Sequence, residues 1–523
     1  MAELLSSDAP LATTGTLLVV SAALVLTGVA VVVGSSTTSK KKKEQQQLLQ
    51  DNNAIRIPHL SSMVPYVGSA IDMGQQGITP FVRGASQKLG DSPFFTATIM
   101  GDKCVFIADP KSLNAVFKPK YSRNLDNLTV QRDFAKSVLT MTNEESAVAF
   151  SDKVPVKLYH QFLFKGEELQ KSIEKVQENF HTVAIPDLIP PSAGESSWTQ
   201  HDLHYMVTSA IFKATMGPII SDLLSQDEAY DLMTNFDKDV IPIYNGFPDF
   251  LTTKGRQARS ILLDQLMSPE FWASASPMFQ ARKSAIVDSG IMTEELFAKN
   301  NLGVLWASVG NSAPAIFWLV LLLVEHPEAW EACRKQVEQV VAARKKNSTG
   351  RVVLTLEDLD KLTLIDSAFF ETLRLYQGAF TPRSVTQDFV IESSTKQNYL
   401  VEEGTKIMVW WNILHQDPGV FENPEEFQYD RFAGKTKSDF TYGDGKPLTH
   451  EPVIPFGGGE HLCPGRKFVS YEARLYVAML MQSFDLRLVA GETRPDTDKA
   501  AVGIGVLQPV RDPKVEIRPR KTV

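Results

Sequence analysis

Cysteine is scarce in this chain: three residues among 523, namely Cys104, Cys333 and Cys463. An odd number so widely spaced argues against a disulfide framework and for a reducing compartment. An excess of positive charge is also missing. The formal net charge is −8, which argues against a nucleic-acid binder, whose footprint would be a basic patch. No second cysteine or His–Cys set accompanies Cys463 to complete a zinc site. No Gly-rich dinucleotide fingerprint occurs. Internal repeats and long low-complexity breaks are absent, so the soluble part reads as one large domain.

What is present is the composition of a globular enzyme, 43% hydrophobic and 22% charged. The N-terminus departs from it. Residues 16–34, TLLVVSAALVLTGVAVVVG, carry no charge. A helix of that length matches a hydrocarbon core of about 30 Å. Lys40–Lys43 follow, whereas the preceding segment holds Glu3 and Asp8 and no Lys or Arg. The positive-inside tendency puts the lysines and everything after them in the cytosol. A cleaved signal peptide fits less well, because the n-region lacks basic residues and the apolar run is long. The expected organisation is a lumenal N-terminus over 1–15, a transmembrane anchor over 16–34, a basic and polar linker over 35–55, and one domain over 56–523.

Within that domain, PFFTATIMGDKCVFIADP reads as a hairpin around a Gly-Asp turn. From about 155 to 380 the pattern is mostly helical. Beyond Thr381 strand-like runs return in FVIES and KIMVWWN. A long helix follows Pro464, and VGIGVLQP reads as strand and turn. The expected fold is mostly α with a minor β portion near both ends of the domain.

Residues 456–466 read FGGGEHLCPGR. Proline is favoured at the first helical position, so Pro464 predicts Cys463 at a helix N-cap. Free N–H groups and the dipole there lower a thiol pKa. Gly457, Gly458 and Gly459 have no Cβ, so a flat partner can approach the backbone closely. A single thiolate suits an iron whose other ligands come from a cofactor, namely haem. Cys104 and Cys333 read as small buried hydrophobes. The spacing F-x-x-G-x-H/R-x-C-x-G, carried by Phe456, Gly459, His461, Cys463 and Gly465, resembles the signature of the cytochrome P-450 haem-thiolate family. The resemblance implies a cytochrome P-450 fold, iron protoporphyrin IX as cofactor and Cys463 as its axial iron ligand. It places Phe456, Gly457 and Gly465 around the sulfur, and His461 where the family often binds a haem propionate.

Two further stretches support the likeness. Glu371 and Arg374 in FFETLRLY share a helix face at i, i+3. Such pairs are common on solvated surfaces, but the neighbours Phe369, Phe370, Leu373 and Leu375 point to a partly buried setting. The family supplies a later arginine, matched by Arg431 in NPEEFQYDRF, so the three resemble its structural ion triad. Arg383 in FTPRSV matches a position that commonly reaches a propionate, and a guanidinium suits a carboxylate. GVLWASVGNSAPAIFWLVLLLVEHPEAW reads as a long central helix. The family usually has an acid and an alcohol there that relay protons. This sequence has Asn311 and Ser312. Asn311 cannot ionise and can only orient a hydrogen bond. Pro314 lacks an N–H, so the Gly310 carbonyl loses its helical partner and a kink is expected.

Asn311 with a proline soon after is similar to the sterol 7α-hydroxylase and prostacyclin synthase branch, as are MVPYVGSAIDMG, FQYDRF and IPFGGGEHLCPGR. The likeness runs from about residue 56 to 515. It implies a large lipid substrate (sterol, steroid or terpenoid) in a pocket of Trp306, Ala307, Gly310, Gly378, Ala379, Phe380, Val506 and Leu507. It further implies a monooxygenase of the endoplasmic reticulum membrane, single-pass with a cytosolic catalytic domain. Electrons would come from NADPH–cytochrome P-450 reductase, with cytochrome b5 as a second candidate donor and Arg466 and Lys467 as docking charges. Those two charges read equally well as a solvated helix start. Two other readings stand beside this one: a non-oxidative isomerase or dehydratase acting on a lipid peroxide, and a haem-binding sensor or carrier.

Overall fold

Lys, Glu, Gln and Leu favour helix, and the run after the apolar segment obeys that preference. Thr37–Asp51 forms helix α1, followed by the strand Ala54–Arg56. The region expected as a linker is therefore regular structure from Thr37 onward. The computed structural model describes residues 37–520, apart from 152–153, 155, 189–196, 348–349, 459–461, 500–501 and 504. The expected anchor over 16–34, the N-terminus over 1–15 and His461 lie outside the described residues.

The chain divides into two compact units. The smaller comprises the residues up to Leu125 and Ser384–Met408. Its centre is the expected hairpin, Phe94–Ile99 antiparallel to Asp102–Ile107. The turn falls on Met100 (φ 48°) and Gly101 (φ 87°), one residue earlier than the Gly-Asp reading. Two positive φ values in succession match the twist of the strands they join. Lys406–Met408 adds in parallel to Cys104–Phe106. Phe95 and Phe106 stack at 5.2 Å, and Phe81 meets both edge-on. A second sheet joins Ala54–Arg56, Asn398–Val401 and Phe389–Glu392. Cys104 is buried here, and burial pushes its thiol up to about 12.

The larger unit comprises Asp126–Arg383 and the residues from Val409 on, and it is mostly helical. The helices that shape the site are α2 (Leu128–Val138), α3 (Leu203–Ile219), α4 (Asp227–Tyr244), α5 (Glu294–Val309), α6 (Ser312–Glu325), α7 (Thr363–Tyr376) and α8 (Arg466–Ser483). One small antiparallel sheet joins Phe484–Leu488, Lys514–Pro519 and Thr199–Asp202. Residues Ser312–Leu323 are all buried. A helix apolar on every side belongs in the core, and α6 packs against α3 and α7. The stretch Glu294–Glu325 is long and apolar enough to cross a membrane, yet it is mostly buried inside the protein. Its burial marks it as a core helix. That helix is interrupted at Gly310 and Asn311, four and three residues before Pro314. The missing proline N–H explains the break. Asn311 takes φ −118° and ψ −37° there.

Candidate functional site

Helix α8 begins at Arg466 with Gly465 as its N-cap. Cys463 therefore sits in the loop ahead of the cap rather than at it, because Pro464 and Gly465 form a turn first. The loop closes on itself: the Cys463 N–H donates to the Phe456 carbonyl at 3.0 Å, and Gly457 supports the bend at φ 73°. The Phe456 ring meets Phe370 of α7 edge-on at 6.4 Å. Burial raises the pKa of the free Cys463 thiol and outweighs three opposing influences. These are the Gly465 N–H, the Arg466 charge and the Arg466 N–H. The helix start does favour a thiolate as expected, but it does not win alone. A metal cation at the sulfur reverses the balance, since a coordinating thiol is deprotonated. Arg466 also donates to the Cys463 carbonyl at 2.8 Å and lies 4.5 Å from the centre of the Phe164 ring. It is part of the loop's architecture, whereas Lys467 is exposed.

A second feature suits an anionic cofactor. Arg383 is buried and donates to Asn127 Oδ1 at 3.0 Å and the Pro382 carbonyl at 2.8 Å. Burial lowers its pKa, with Asp126 opposing. Arg132 of α2 keeps a buried Nε with no hydrogen-bond partner. Asp126 feels Arg132 as well, but it also accepts from the backbones of Leu128 and Thr129. Two guanidinium groups thus share one heavily used carboxylate. A loop presenting one sulfur, with two guanidinium groups of which Arg132 keeps an unpartnered Nε, suits an iron porphyrin with two propionates. Arg132 escapes sequence reasoning, because one Arg in an amphipathic helix looks like a solvated residue.

The three charged residues singled out from the sequence meet in full burial. Arg374 Nε donates to Glu371 Oε2 at 2.7 Å and Nη2 to Oε1 at 2.8 Å. Arg431 Nε donates to Glu371 Oε1 at 2.9 Å. The remaining guanidinium hydrogens go to carbonyls: Arg374 Nη1 to His415 and Pro424, Arg431 Nη1 to Glu422. Phe421 lies under both guanidinium groups. A buried ion pair survives only when its spare hydrogen-bonding capacity is met in this way.

The break between α5 and α6 borders a cavity of about 630 Å³, also walled by α3, α4 and the C-terminal segment. Asn311 lines it, but its side chain is engaged: Oδ1 accepts the Val506 N–H at 3.0 Å. Ser312 is buried and donates to the Ser308 carbonyl at 3.0 Å. Trp306, Gly310 and Val506 line the cavity. Ala307, Gly378, Ala379, Phe380 and Leu507 do not. Gly378 and Phe380 donate backbone N–H groups to Gly505 and Gly503, and the Leu507 N–H goes to the Tyr376 carbonyl at 2.9 Å. The Leu507 carbonyl accepts the Trp318 indole at 2.7 Å. Gly378, Phe380 and Leu507 thus tie the C-terminal segment to the strand and helix beside it.

Two acids invisible to pattern reading stand here. Glu472, on α8, is fully buried; its Oε1 accepts the Thr215 hydroxyl, and the Ser312 hydroxyl is close enough to influence it. Burial pushes it up to about 8 against the influence of those two hydroxyls, so at neutral pH it is a protonated acid. Its Oε2 has no partner. Asp237 of α4 projects into the cavity and accepts the Trp306 indole N–H at 2.7 Å. Asp237 is one of several acids on α4 and Glu472 follows charged residues at the start of α8, so neither stands out in one dimension.

Comparison with known proteins agrees with this geometry. A family model described as Cytochrome P450 matches residues 58–516. Cytochrome P450 7A1 of Sus scrofa is 26% identical over 478 residues, covering 87% of this chain and 92% of the pig protein. The 7-alpha-hydroxycholest-4-en-3-one 12-alpha-hydroxylase of Oryctolagus cuniculus is 27% identical, covering 87% and 91%. Prostacyclin synthase of Rattus norvegicus is 26% identical, covering 87% and 92%. The solved structure of a retinoic-acid-bound cyanobacterial CYP120A1 superposes with a TM-score of 0.65 at 18% identity, covering 90% of this chain and 100% of that one. It shows the shared fold. The chain belongs to the cytochrome P450 family of haem-thiolate enzymes, with sterol hydroxylases and prostacyclin synthase among its relatives.

Proposed function

We propose that the chain is a membrane-anchored monooxygenase that hydroxylates a large lipophilic substrate, a sterol, steroid or terpenoid. The observation that carries this reading is the cavity of about 630 Å³ beside the helix break. Its size is in the range of small-molecule sites, and its walls are mainly apolar with a few placed polar groups. The net reaction consumes the lipid C–H bond, dioxygen, two electrons and two protons, and yields the alcohol and water. Haem held by the Cys463 thiolate supplies the oxidising chemistry.

The chain's own residues do the rest. Cys463 is the iron ligand; Phe456, Gly457 and Gly465 shape the loop around it. Arg383, Arg132 and His461 hold the propionates. The Glu371–Arg374–Arg431 cluster fixes the fold beneath the site. Asn311 fixes the cavity wall through Val506. Ser312 and Glu472 keep a proton at the helix break, since Glu472 is neutral at pH 7. Trp306, Gly310 and Val506 face the substrate. Residues 16–34 serve as the anchor, with the enzyme on the cytosolic side of the endoplasmic reticulum. Electrons arrive from NADPH through cytochrome P450 reductase, with cytochrome b5 as a second donor.

One observation favours a second reading, rearrangement or dehydration of a lipid peroxide. The helix break carries a neutral Asn311 whose carbonyl is already engaged, and a prostacyclin synthase is among the relatives. Purified protein with reductase, NADPH and a sterol and terpenoid panel separates the readings. Substrate-dependent NADPH use with one alcohol product supports the monooxygenase. Turnover of a lipid hydroperoxide without NADPH supports the isomerase, and no turnover with either leaves a haem sensor or carrier.

A further inference from the structure

Asp237 places a carboxyl at a cavity whose walls are mainly apolar, with Thr208, Thr234 and Lys238 among the polar residues nearby on its wall. Its Oδ1 accepts the Trp306 indole N–H at 2.7 Å. Its Oδ2 has no partner among the described residues. Lys238 attracts it from the next position but forms no ion pair with it. Burial raises its pKa. The group is held firmly in place: the Trp306 ring stacks on Phe134 at 5.1 Å. A Cβ added at Gly310 would lie 3.3 Å from Trp306 Nε1 and 3.5 Å from Asp237 Oδ1, so the carboxyl abuts the helix break. An indole N–H needs only one acceptor, which an amide or a carbonyl could supply at lower desolvation cost. The residue lines the cavity, and its second oxygen is left without a hydrogen bond among the described residues.

We propose that Asp237 is the polar anchor for the substrate, and that this enzyme selects lipids bearing an alcohol over the same skeleton without one. The inference rests on the cavity being the substrate site. An alcohol is the partner that suits this group in either protonation state. It donates to the carboxylate and accepts from the neutral acid. A ketone pairs with the acid alone, and a hydrocarbon with neither. A polar site that binds a hydroxyl rejects the analogue lacking it more strongly than an apolar pocket rejects an added one. Asp237 is thus a binding and specificity residue, and Trp306 positions it.

The test uses the haem-loaded, full-length protein in detergent, titrated with three lipids of one skeleton: alcohol, ketone and deoxy compound. Binding is read by the substrate-induced spectral shift and independently by calorimetry. For the unmodified protein the alcohol is expected to bind on the order of tenfold to a hundredfold more tightly than the deoxy compound. Asp237→Leu should bring that ratio near one. Asp237→Asn keeps an acceptor for Trp306 and offers N–H to the cavity, so it should raise the ketone relative to the alcohol. A merely structural role would lower affinity for all three lipids together and leave the ratios alone. Equal binding of alcohol and deoxy compound to the unmodified protein overturns the proposal without needing either variant. So does a preference that survives both substitutions. If all three lipids bind and are hydroxylated without discrimination, only the anchor falls. If none binds by either readout, the lipid monooxygenase reading falls and takes the anchor with it.

Discussion

The side-chain carbonyl of Asn311 accepts the backbone N–H of Val506, 195 residues further along the chain, at 3.0 Å. That bond ties the break in the central helix to the wall of the cavity. Gly505 makes it possible, since a Cβ there would collide with Asn311 Oδ1. Gly505→Ala should destabilise the haem-loaded protein by about 1–3 kcal/mol, the usual cost of overpacking. Asn311→Ala clears the space. The double variant should therefore cost less than the sum of the singles, by on the order of 1 kcal/mol. Thermal unfolding of the four proteins measures this. Strict additivity would mean that the two residues do not meet.

The Glu371–Arg374–Arg431 cluster predicts an asymmetric response. Removing one partner leaves the others buried without compensation, at about 3–5 kcal/mol. Arg374→Ala should abolish folded, haem-loaded protein at ordinary growth temperature. Arg374→Lys keeps the charge but not the fork that grips both Glu371 oxygens, so it should rescue only part. Haem content per purified chain is the readout, and full loading of Arg374→Ala would contradict this account.

Glu472 sets a pH dependence. Its folded pKa, about 8, lies above that of an exposed glutamate. The folded state therefore holds its proton while the unfolded state releases it from about pH 4.5 upward. The stability this group contributes is fully present below that value and is lost as pH rises toward 8. Glu472→Gln keeps an acceptor for Thr215 and cannot ionise. Its stability relative to the unmodified protein should grow by about 1.4 kcal/mol per pH unit across that window. Denaturant unfolding at several pH values checks it, and parallel curves would show that Glu472 is not a buried neutral acid.

His415 works in the opposite direction. Its Nε2 accepts the Ile454 N–H at 3.0 Å and its Nδ1 is buried without a partner. Burial, aided by the charges of Arg374 and His450, lowers its pKa to about 3. The stability it gives is present above the unfolded value near 6.5 and is lost as pH falls toward 3. Haem loss below pH 6 should be less steep in His415→Asn than in the unmodified protein. An unchanged acid profile would argue against a buried neutral imidazole.

Some of this was legible in the sequence. The Cys463 loop, the Glu371–Arg374–Arg431 set and the Pro314 interruption are local or strongly patterned. Short spacing, helical periodicity and a missing N–H each leave a mark in one dimension. The start of α8 was misplaced, because Pro464 and Gly465 form a turn that proline's preference for a helix start does not reveal. The helix Thr37–Asp51 within the linker stretch leaves no mark, because charged and amide residues serve helices and linkers alike. Asp237, Arg132 and Glu472 were invisible, since their meaning depends on what burial leaves unpaired. Leu507 and Ala379 show the converse. They lie close in sequence to cavity-facing residues, yet their backbones are committed to neighbouring strands and helices.

The central claim is that Cys463 carries the iron as a thiolate, in a loop where the backbones of Gly465 and Arg466 and the Arg466 charge favour the ionised sulfur. The most direct measurement is the difference spectrum of the reduced protein with carbon monoxide, for the unmodified chain and for Cys463→Ser. The unmodified protein should show the red-shifted band of thiolate ligation. The serine variant should lose it, whether or not it retains haem. A thiolate band that persists in Cys463→Ser would contradict the assignment of the ligand and with it the reading of the loop.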